Sequence, residues 1–229
     1  EYFKTLGLAA PLLAFRHRLN YGKLSSNYFL EKTPCQMEEQ FFCYRGKHCF
    51  LEGYWQLEDY FKDISALLMK KLNFNCDSLS QTALKIKLTL DTQNSVSIHA
   101  RRGDYINNKT YKHLYYECNQ EYYENAIKLI SDRVPDAKFY VFSDDIEWAK
   151  AQPFFSECNF IEYSSAWGSW NDLFLMSCCQ HNIIANSSFS WWGAWLNQNP
   201  VKIVVGPQHW FNIPSLYDES PIPKNWIKI

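Results

Sequence analysis

The chain has 229 residues with a formal net charge of −1 at neutral pH, and 17% of its residues are aromatic. This length corresponds to one large domain or two small ones, with enough chain to bury a core. A balanced charge gives no bulk attraction to nucleic acid or to an anionic membrane, and no apolar run is long enough to span a bilayer. We therefore expect a soluble, mixed α/β protein of the cytoplasm.

The eight cysteines include no C-x-x-C pair and no spacing that is typical of a zinc site. Cys35, Cys43 and Cys49 lie close to His48 along the chain, but this spacing fits no standard metal site. We expect free thiols in a reducing compartment, where they act as small hydrophobic side chains. No metal site is predicted.

The first half of the chain has weak periodicity. Leu57–Leu72 places its apolar residues on one helical face, which predicts an amphipathic helix. Residues 73–91 predict a polar connector followed by the segment LKIKLTL, whose alternation is typical of a strand. The opening residues, EYFKTLGLAAPLLAF, are too interrupted for a signal peptide.

From residue 94 onward, apolar strands and helical segments alternate. Five short strands are predicted, at residues 96–100, 139–142, 160–161, 183–185 and 201–205. Four helices are predicted, at residues 119–133, 146–152 and 169–180 and after the Asn-Ser-Ser motif at 186–188. Alternation of this kind favours a parallel sheet that is covered by helices on both faces.

Polar motifs follow three of the predicted strands. They are Arg101-Arg102-Gly103-Asp104, Ser143-Asp144-Asp145 and Asn186-Ser187-Ser188. In parallel α/β sheets ligands bind outside the carboxyl ends of the strands, and the backbone N–H groups at a helix start favour phosphate. The three motifs together predict a crevice for an anionic ligand at one edge of the sheet. The alternative for the third motif is a Ser cap on a core helix.

Arg101 and Arg102 bring two permanently charged guanidinium groups to this edge. Such groups grip phosphate through paired hydrogen bonds and can neutralise a leaving diphosphate without a metal. The alternative is a structural Arg–Asp pair on a tight glycine turn. Both interpretations stay open from the residues alone.

The acidic residues of the second half have structural alternatives too. Asp144 and Asp145 could hold a ribose or a guanine edge, or they could cap the helix that follows them. Asp172 forms a Ser-x-x-Asp capping box with Ser169, so a ligand role would be additional. The three tryptophans of SWWGAWL fall at helical spacing and are interpreted as core residues rather than as a sugar platform.

With these motifs in view, the chain resembles the bacterial-type α-1,2-fucosyltransferases, glycosyltransferase family 11. The blocks that carry the resemblance occur in family order and cover most of the chain after residue 50. They are GYWQLEDYF (53–61), SIHARRGDY (97–105), VPDAKFYVFSDD (134–145), NDLFLMSCCQHNIIANSSFSWWGAWLN (171–197) and IVVGPQHW (203–210).

The resemblance implies a metal-independent enzyme without a cofactor, which transfers L-fucose from GDP-β-L-fucose to the 2-hydroxyl of a terminal galactose on a glycan and inverts the anomeric centre. On this pattern Arg101 grips the β-phosphate and Arg102 supports it. The other implied donor-binding residues are His99, Asp144, Asp145, Asp172, Asn186, Ser187, Ser188 and Phe189. Asp104 is the candidate catalytic base, and orientation of one of the arginines is its alternative role.

The resemblance also implies a GT-B-like α/β fold with two domains. Residues 93–229 would form the GDP-sugar (donor) domain on a Rossmann-type parallel sheet, and residues 1–92 the remainder of an acceptor-side domain. Family members usually begin with a strand and a GGLGNQ-type loop, which this sequence lacks, so we expect either a truncated chain or the loss of that segment.

Two alternatives to fucosyl transfer remain open. One is a related GDP-sugar transferase with a different acceptor, and the other is a noncatalytic fragment that binds a GDP-sugar or a glycan. The expected partners are GDP-fucose and a galactose-terminated acceptor, and nucleic acid is not among them. The expected location is the cytoplasm, with peripheral association at a membrane as an addition and no transmembrane segment.

Overall fold

The computed structural model describes residues 28–72, 74, 79–102, 113–162 and 168–229. The chain divides into two compact units, one that ends at Trp55 and one that runs from Gln56 to Ile229. The boundary that the sequence predicts between residues 92 and 93 divides an acceptor-side domain from a donor-side domain by function. This functional division stays a prediction.

The described part of the first unit contains two short parallel strands, β1 (Tyr28–Leu30) and β2 (Phe50–Glu52). A single-turn helix, α1 (Gln40–Cys43), lies between them along the chain. The ring of Phe29 meets that of Phe41 edge-on, with 5.7 Å between ring centroids. Aromatic contacts of this kind therefore hold α1 against β1.

The second unit is built on a parallel sheet of six strands. They are β3 (Ser95–Ala100), β4 (Lys138–Ser143), β5 (Asn159–Phe160), β6 (His181–Ile183), β7 (Val204–Gly206) and β8 (Ile227–Lys228). Their spatial order is β5-β4-β3-β6-β7-β8, with every pairing parallel. The predicted parallel sheet is confirmed, and its order reverses direction between β3 and β6, as in doubly wound nucleotide-binding folds.

Six helices accompany this sheet in the described part of the second unit. They are α2 (Ser65–Lys71), α3 (Gln81–Asp91), α4 (Gln120–Ser131), α5 (Ile146–Lys150), α6 (Ser169–Cys178) and α7 (Ser188–Leu196). The elements predicted after residue 94 are present, with ends that differ by a few residues. Among the described helices, none has the length and apolar character needed to cross a bilayer.

Apolar side chains cover both faces of the sheet. On one face, Val96 and Ile98 of β3 pack in a buried cluster with Ala126 and Ile130 of α4. On the other face, Phe142 of β4 belongs to a second buried cluster, together with residues of α3 and α6. Alternate residues of parallel strands face opposite sides, so both faces of β3 are buried, one through apolar residues and the other through two serines and a histidine.

The segment LKIKLTL is part of helix α3, so the predicted strand is wrong. The side chain of Ser80 accepts a hydrogen bond from the backbone N–H of Ala83 at 3.0 Å and caps the helix start. Ala83 and Leu90 are both fully buried. They are seven residues apart, which places them on one face of a helix. The alternation of apolar and polar residues within LKIKLTL suggests a strand only when that segment is considered alone.

The predicted helix at Leu57–Leu72 is correct only in its second part. Two 3₁₀ turns, Glu58–Tyr60 and Lys62–Ile64, precede α2. Between them Phe61 leaves helical geometry at φ −137° and ψ 6°, and its ring stacks on Trp192 with 5.5 Å between centroids. Packing of this ring therefore overrides the helical preference of the surrounding residues.

We expect Ser80→Ala to lower the free energy of unfolding by about 1 kcal/mol, because it leaves an N–H group at the start of α3 without a partner. Denaturant unfolding of the variant and the wild-type protein measures this difference. Ser80→Asp keeps a capping oxygen and serves as the control. Equal stability of the alanine variant and the wild type would contradict the cap.

Candidate functional site

The carboxyl ends of β3 and β6 mark the place where the strand order reverses. In doubly wound sheets this edge forms the ligand crevice. Arg101 and Arg102 directly follow β3, and the Asn-Ser-Ser motif at 186–188 follows β6 within a few residues. Asp144 and Asp145 follow β4, the other neighbour of β3. The described residues of the three predicted motifs therefore lie along one edge of the sheet.

Arg101 is paired with Asp144 across the ends of β3 and β4. Its Nη1 lies 3.0 Å from Asp144 Oδ2, and the two side chains are 30% and 27% exposed. The other oxygen of this carboxylate accepts a hydrogen bond from the backbone N–H of Arg102 at 2.9 Å. An Arg–Asp pair is thus present, and at this exposure a phosphate of a bound ligand could replace the carboxylate at the guanidinium.

Asp145 caps the helix that follows it, as one of its two interpretations predicted. Its Oδ1 accepts from the backbone N–H of Trp148 at 3.2 Å. Its own N–H donates to Ser143 Oγ at 3.0 Å. The second oxygen, Oδ2, lies 3.6 Å from Arg102 Nε. Asp144 therefore holds Arg101, and Asp145 gives Arg102 a nearby counter-charge without a hydrogen bond. The predicted contacts of both aspartates with the donor stay predictions.

His99 is the buried group beside these charges. It is only 5% exposed, and its Nδ1 has no hydrogen-bond partner within the described residues. Burial, with a smaller effect from the Arg101 charge, lowers the pKa of His99 to about 3. Its ring lies 5.8 Å from that of Phe189, and its carbonyl accepts from the hydroxyl of Tyr123 at 3.1 Å. A neutral imidazole is therefore available for hydrogen bonding without added charge.

Helix α7 begins at the third motif. Ser187 is its N-cap residue, with an extended backbone, 7% exposure and no capping hydrogen bond from its side chain. Ser188 is exposed. The Asn186 amide donates to the carbonyl of Tyr116 and to that of Trp210 at 3.2 Å. Asn186 therefore ties the loops around the crevice together, while the helix start presents N–H groups suited to an anion.

Two of the three tryptophans of α7 are core residues, as predicted, and Trp192 is only partly buried. Trp191 and Trp195 are 4% and 5% exposed. Their indole N–H groups donate to Pro221 O at 2.9 Å and to Glu58 Oε1 at 2.8 Å. The ring of Phe61 packs edge-on against both. Two residues of the GYWQLEDYF block thus fix the helix whose start lines the crevice.

The predicted capping box at the start of α6 is wrong. Gly168 is the N-cap residue, so Ser169 is already the first helical residue and no side chain caps the helix. The side chain of Asn171 instead donates to Gly168 O at 3.1 Å and accepts from the backbone N–H of Ser80 at 3.1 Å. Asp172 is 8% exposed in the first helical turn, and its predicted donor contact stays a prediction. Asp104, the candidate base, lies outside the described residues.

The sequence motifs missed the aromatic residues that support this edge. The hydroxyl of Tyr122 donates to Ile184 O, just after β6, at 2.5 Å and to Val205 O of β7 at 3.3 Å. Trp148 lies under Arg102, with 4.0 Å between the guanidinium carbon and the ring centroid. In the sequence, the only indication that Trp148 lies near the arginines is its position three residues after Asp145, the cap of α5.

Comparison with known proteins gives one family and two relatives. Residues 18–229 match glycosyl transferase family 11. The chain is 36% identical over 182 residues to an alpha-1,2-colitosyltransferase of Escherichia coli, a match that covers 77% of the chain and 61% of the relative. It is 45% identical over 134 residues to the O-antigen biosynthesis glycosyltransferase WbnK of Escherichia coli, which covers 55% of the chain and 42% of the relative.

The matched part of the chain therefore spans between about two fifths and three fifths of the length of these relatives. Among solved structures, KpsC of Thermosulfurimonas dismutans, a beta Kdo 2,7 transferase, matches with 13% identity and a TM-score of 0.31, over 72% of this chain and 54% of that one. At this TM-score the likeness carries no argument about fold or activity.

Acid should destabilise the protein through His99. Its pKa falls from 6.5 in the unfolded chain to about 3 in the folded protein, so the unfolded chain binds the extra proton between these values. We expect the free energy of unfolding to drop by up to about 1.4 kcal/mol per pH unit as the pH falls from 6.5 towards 3. Denaturant unfolding at a series of pH values measures the slope.

His99→Gln removes this titration and should flatten the slope in the same pH range. His113→Gln, at an exposed position, is the control and should keep the wild-type slope. Identical slopes for wild type and His99→Gln would show that His99 is not the buried neutral group described above.

Proposed function

The chain belongs to glycosyl transferase family 11, and we propose that it transfers L-fucose from GDP-β-L-fucose to the 2-hydroxyl of a terminal galactose on a glycan. The observation that carries this proposal is the pair of arginines at the carboxyl end of β3. Arg101 and Arg102 stand where the strand order reverses, the usual nucleotide crevice of such sheets. Two guanidiniums there match a diphosphate leaving group.

In the proposed reaction the bond between fucose C1 and the diphosphate oxygen breaks with oxocarbenium character. The 2-hydroxyl oxygen of galactose forms the new bond on the opposite face, which inverts the anomeric centre. Negative charge grows on the departing GDP, where Arg101 and Arg102 stabilise it without a metal. A base takes the hydroxyl proton, and Asp104 is our candidate from its sequence position.

Neutral groups around the arginines would orient the donor. His99 is buried and neutral at physiological pH, so it can exchange a hydrogen bond with the nucleotide at no cost in charge repulsion. The first turn of α7, with Ser187 and Ser188, offers N–H and hydroxyl donors to a phosphate or ribose. The other proposed donor contacts are Asp144, Asp145, Asp172, Asn186 and Phe189.

Colitosyl transfer is a second candidate. The chain is 36% identical to a protein named alpha-1,2-colitosyltransferase, and colitose is L-fucose without its 3-hydroxyl. A site that hydrogen-bonds this hydroxyl would strongly reject the deoxy sugar, whereas an apolar contact would discriminate weakly.

A noncatalytic GDP-sugar-binding fragment is a further alternative, since the chain matches only part of each relative's length. Cytoplasmic location with peripheral membrane contact stays a prediction from the sequence.

Incubation of the protein with lactose and either GDP-fucose or GDP-colitose, in buffer with EDTA, tests the proposal. We expect 2′-fucosyllactose from GDP-fucose, identified by mass spectrometry and by the anomeric signals in NMR. Faster transfer from GDP-colitose would favour the second candidate. Binding of GDP without transfer would favour the noncatalytic fragment, and activity that returns only with added metal would contradict the metal-free mechanism.

Arg101→Ala should weaken GDP binding by at least about ten-fold, because a charge-assisted hydrogen bond to phosphate is lost. Isothermal calorimetry with GDP measures this loss. Arg133→Ala removes an exposed arginine just after α4 and should bind GDP like the wild type. Near-normal affinity of Arg101→Ala would remove Arg101 from the phosphate site.

A further inference from the structure

We infer that Trp148 is a positioning residue, which holds the Arg102 guanidinium in the orientation that grips the diphosphate of the donor. This inference rests on the proposed function, because it takes a nucleoside diphosphate as the ligand. The resemblance implies that Arg101 grips the phosphate and that Arg102 only supports it. With Trp148 beneath it, Arg102 is instead the guanidinium that is already oriented before the ligand binds.

The first observation is the stack between the two side chains. The guanidinium carbon of Arg102 lies 4.0 Å from the centroid of the Trp148 ring. Tryptophan has the most favourable face for a cation, and a guanidinium both stacks on it and interacts with its quadrupole. The N–H groups of a guanidinium lie in its plane, so a ring against one face leaves them able to donate to a ligand.

The second observation is how little else restrains the Arg102 side chain. Its Nε is 3.6 Å from Asp145 Oδ2, beyond hydrogen-bond distance, and this buried nitrogen has no hydrogen-bond partner. The terminal nitrogens have none among the described residues either. Arg101, in contrast, has its Nη1 at 3.0 Å from Asp144. Arg102 is therefore oriented mainly by the ring, with its terminal donors uncommitted to the described residues.

The third observation is that the ring itself is held in place. The backbone N–H of Trp148 donates to Asp145 Oδ1 at 3.2 Å, and its carbonyl accepts from Gln152 Nε2 at 2.9 Å. The ring packs against Phe154, with 6.5 Å between centroids. A fixed platform reduces the side-chain freedom that Arg102 loses on binding, and preorganisation of this kind raises affinity without a new contact to the ligand.

The two arginines then differ in what binding requires of them. Arg101 exchanges one anion for another, because a phosphate takes the place of Asp144 at its guanidinium. Arg102 needs no such exchange, since it is already stacked on Trp148. Loss of the ring should therefore weaken binding of a diphosphate only as long as Arg102 is present.

The test is a double-mutant cycle on GDP binding, measured by calorimetry. Trp148→Leu should weaken GDP binding about five-fold, as expected for a partly exposed cation–π contact. Trp148→Phe keeps an aromatic face and should lie between the leucine variant and the wild type. In an Arg102→Ala background, Trp148→Leu should cause no further loss. Tyr54→Leu removes an exposed aromatic ring of the first unit and should leave GDP affinity unchanged.

Wild-type affinity in Trp148→Leu would overturn the inference. An equal loss from Trp148→Leu with and without Arg102 would also overturn it, because that result indicates a purely structural role. Circular dichroism checks the fold of each variant, and Trp148→Phe carries the test if the leucine variant is unfolded. Failure of the unmodified protein to bind GDP would instead overturn the proposed donor, and with it the ligand assumed here.

Discussion

The buried amide of Asn182 joins the parts of the second unit at the place where the strand order reverses. Asn182 is fully buried on β6, and its Nδ2 donates to Ser97 Oγ of β3 at 2.7 Å and to Met176 O of α6 at 2.8 Å. Its Oδ1 accepts from Asn197, just after α7, at 2.8 Å. A buried polar group must be satisfied, so this network sets the register of two strands and two helices together. The crevice depends on that register.

The crevice holds its positive charge in a half-buried and balanced form. Asp144 and Asp145 stand against Arg101 and Arg102 at the ends of neighbouring strands, so each of these two arginines has a carboxylate as its counter-charge. The desolvated neighbour, His99, is kept neutral. This arrangement balances the arginine charges without a ligand, and in the proposed function a diphosphate would replace the Asp144 carboxylate at Arg101.

Distant segments of the chain support the same edge. Glu58 and Phe61 hold α7 through its tryptophans, and the hydroxyl of Tyr122 in α4 donates to backbone carbonyls just after β6 and in β7. None of these groups carries the proposed chemistry. They determine where the helix start and the strand ends lie, and a small displacement there would change the geometry of every proposed phosphate contact.

The sequence by itself determined the alternation of strands and helices after residue 94, the polar motifs at the strand ends and the family, because these depend on local order along the chain. Only the tertiary structure decided that LKIKLTL is helical, that Gly168 is the N-cap of α6, and that β3 lies between β4 and β6. The pairing of Arg101 with Asp144 and the stack of Arg102 on Trp148 follow from that strand order. These contacts join residues more than 40 positions apart in the chain. Local sequence propensity depends on neighbouring residues only, so it cannot predict them.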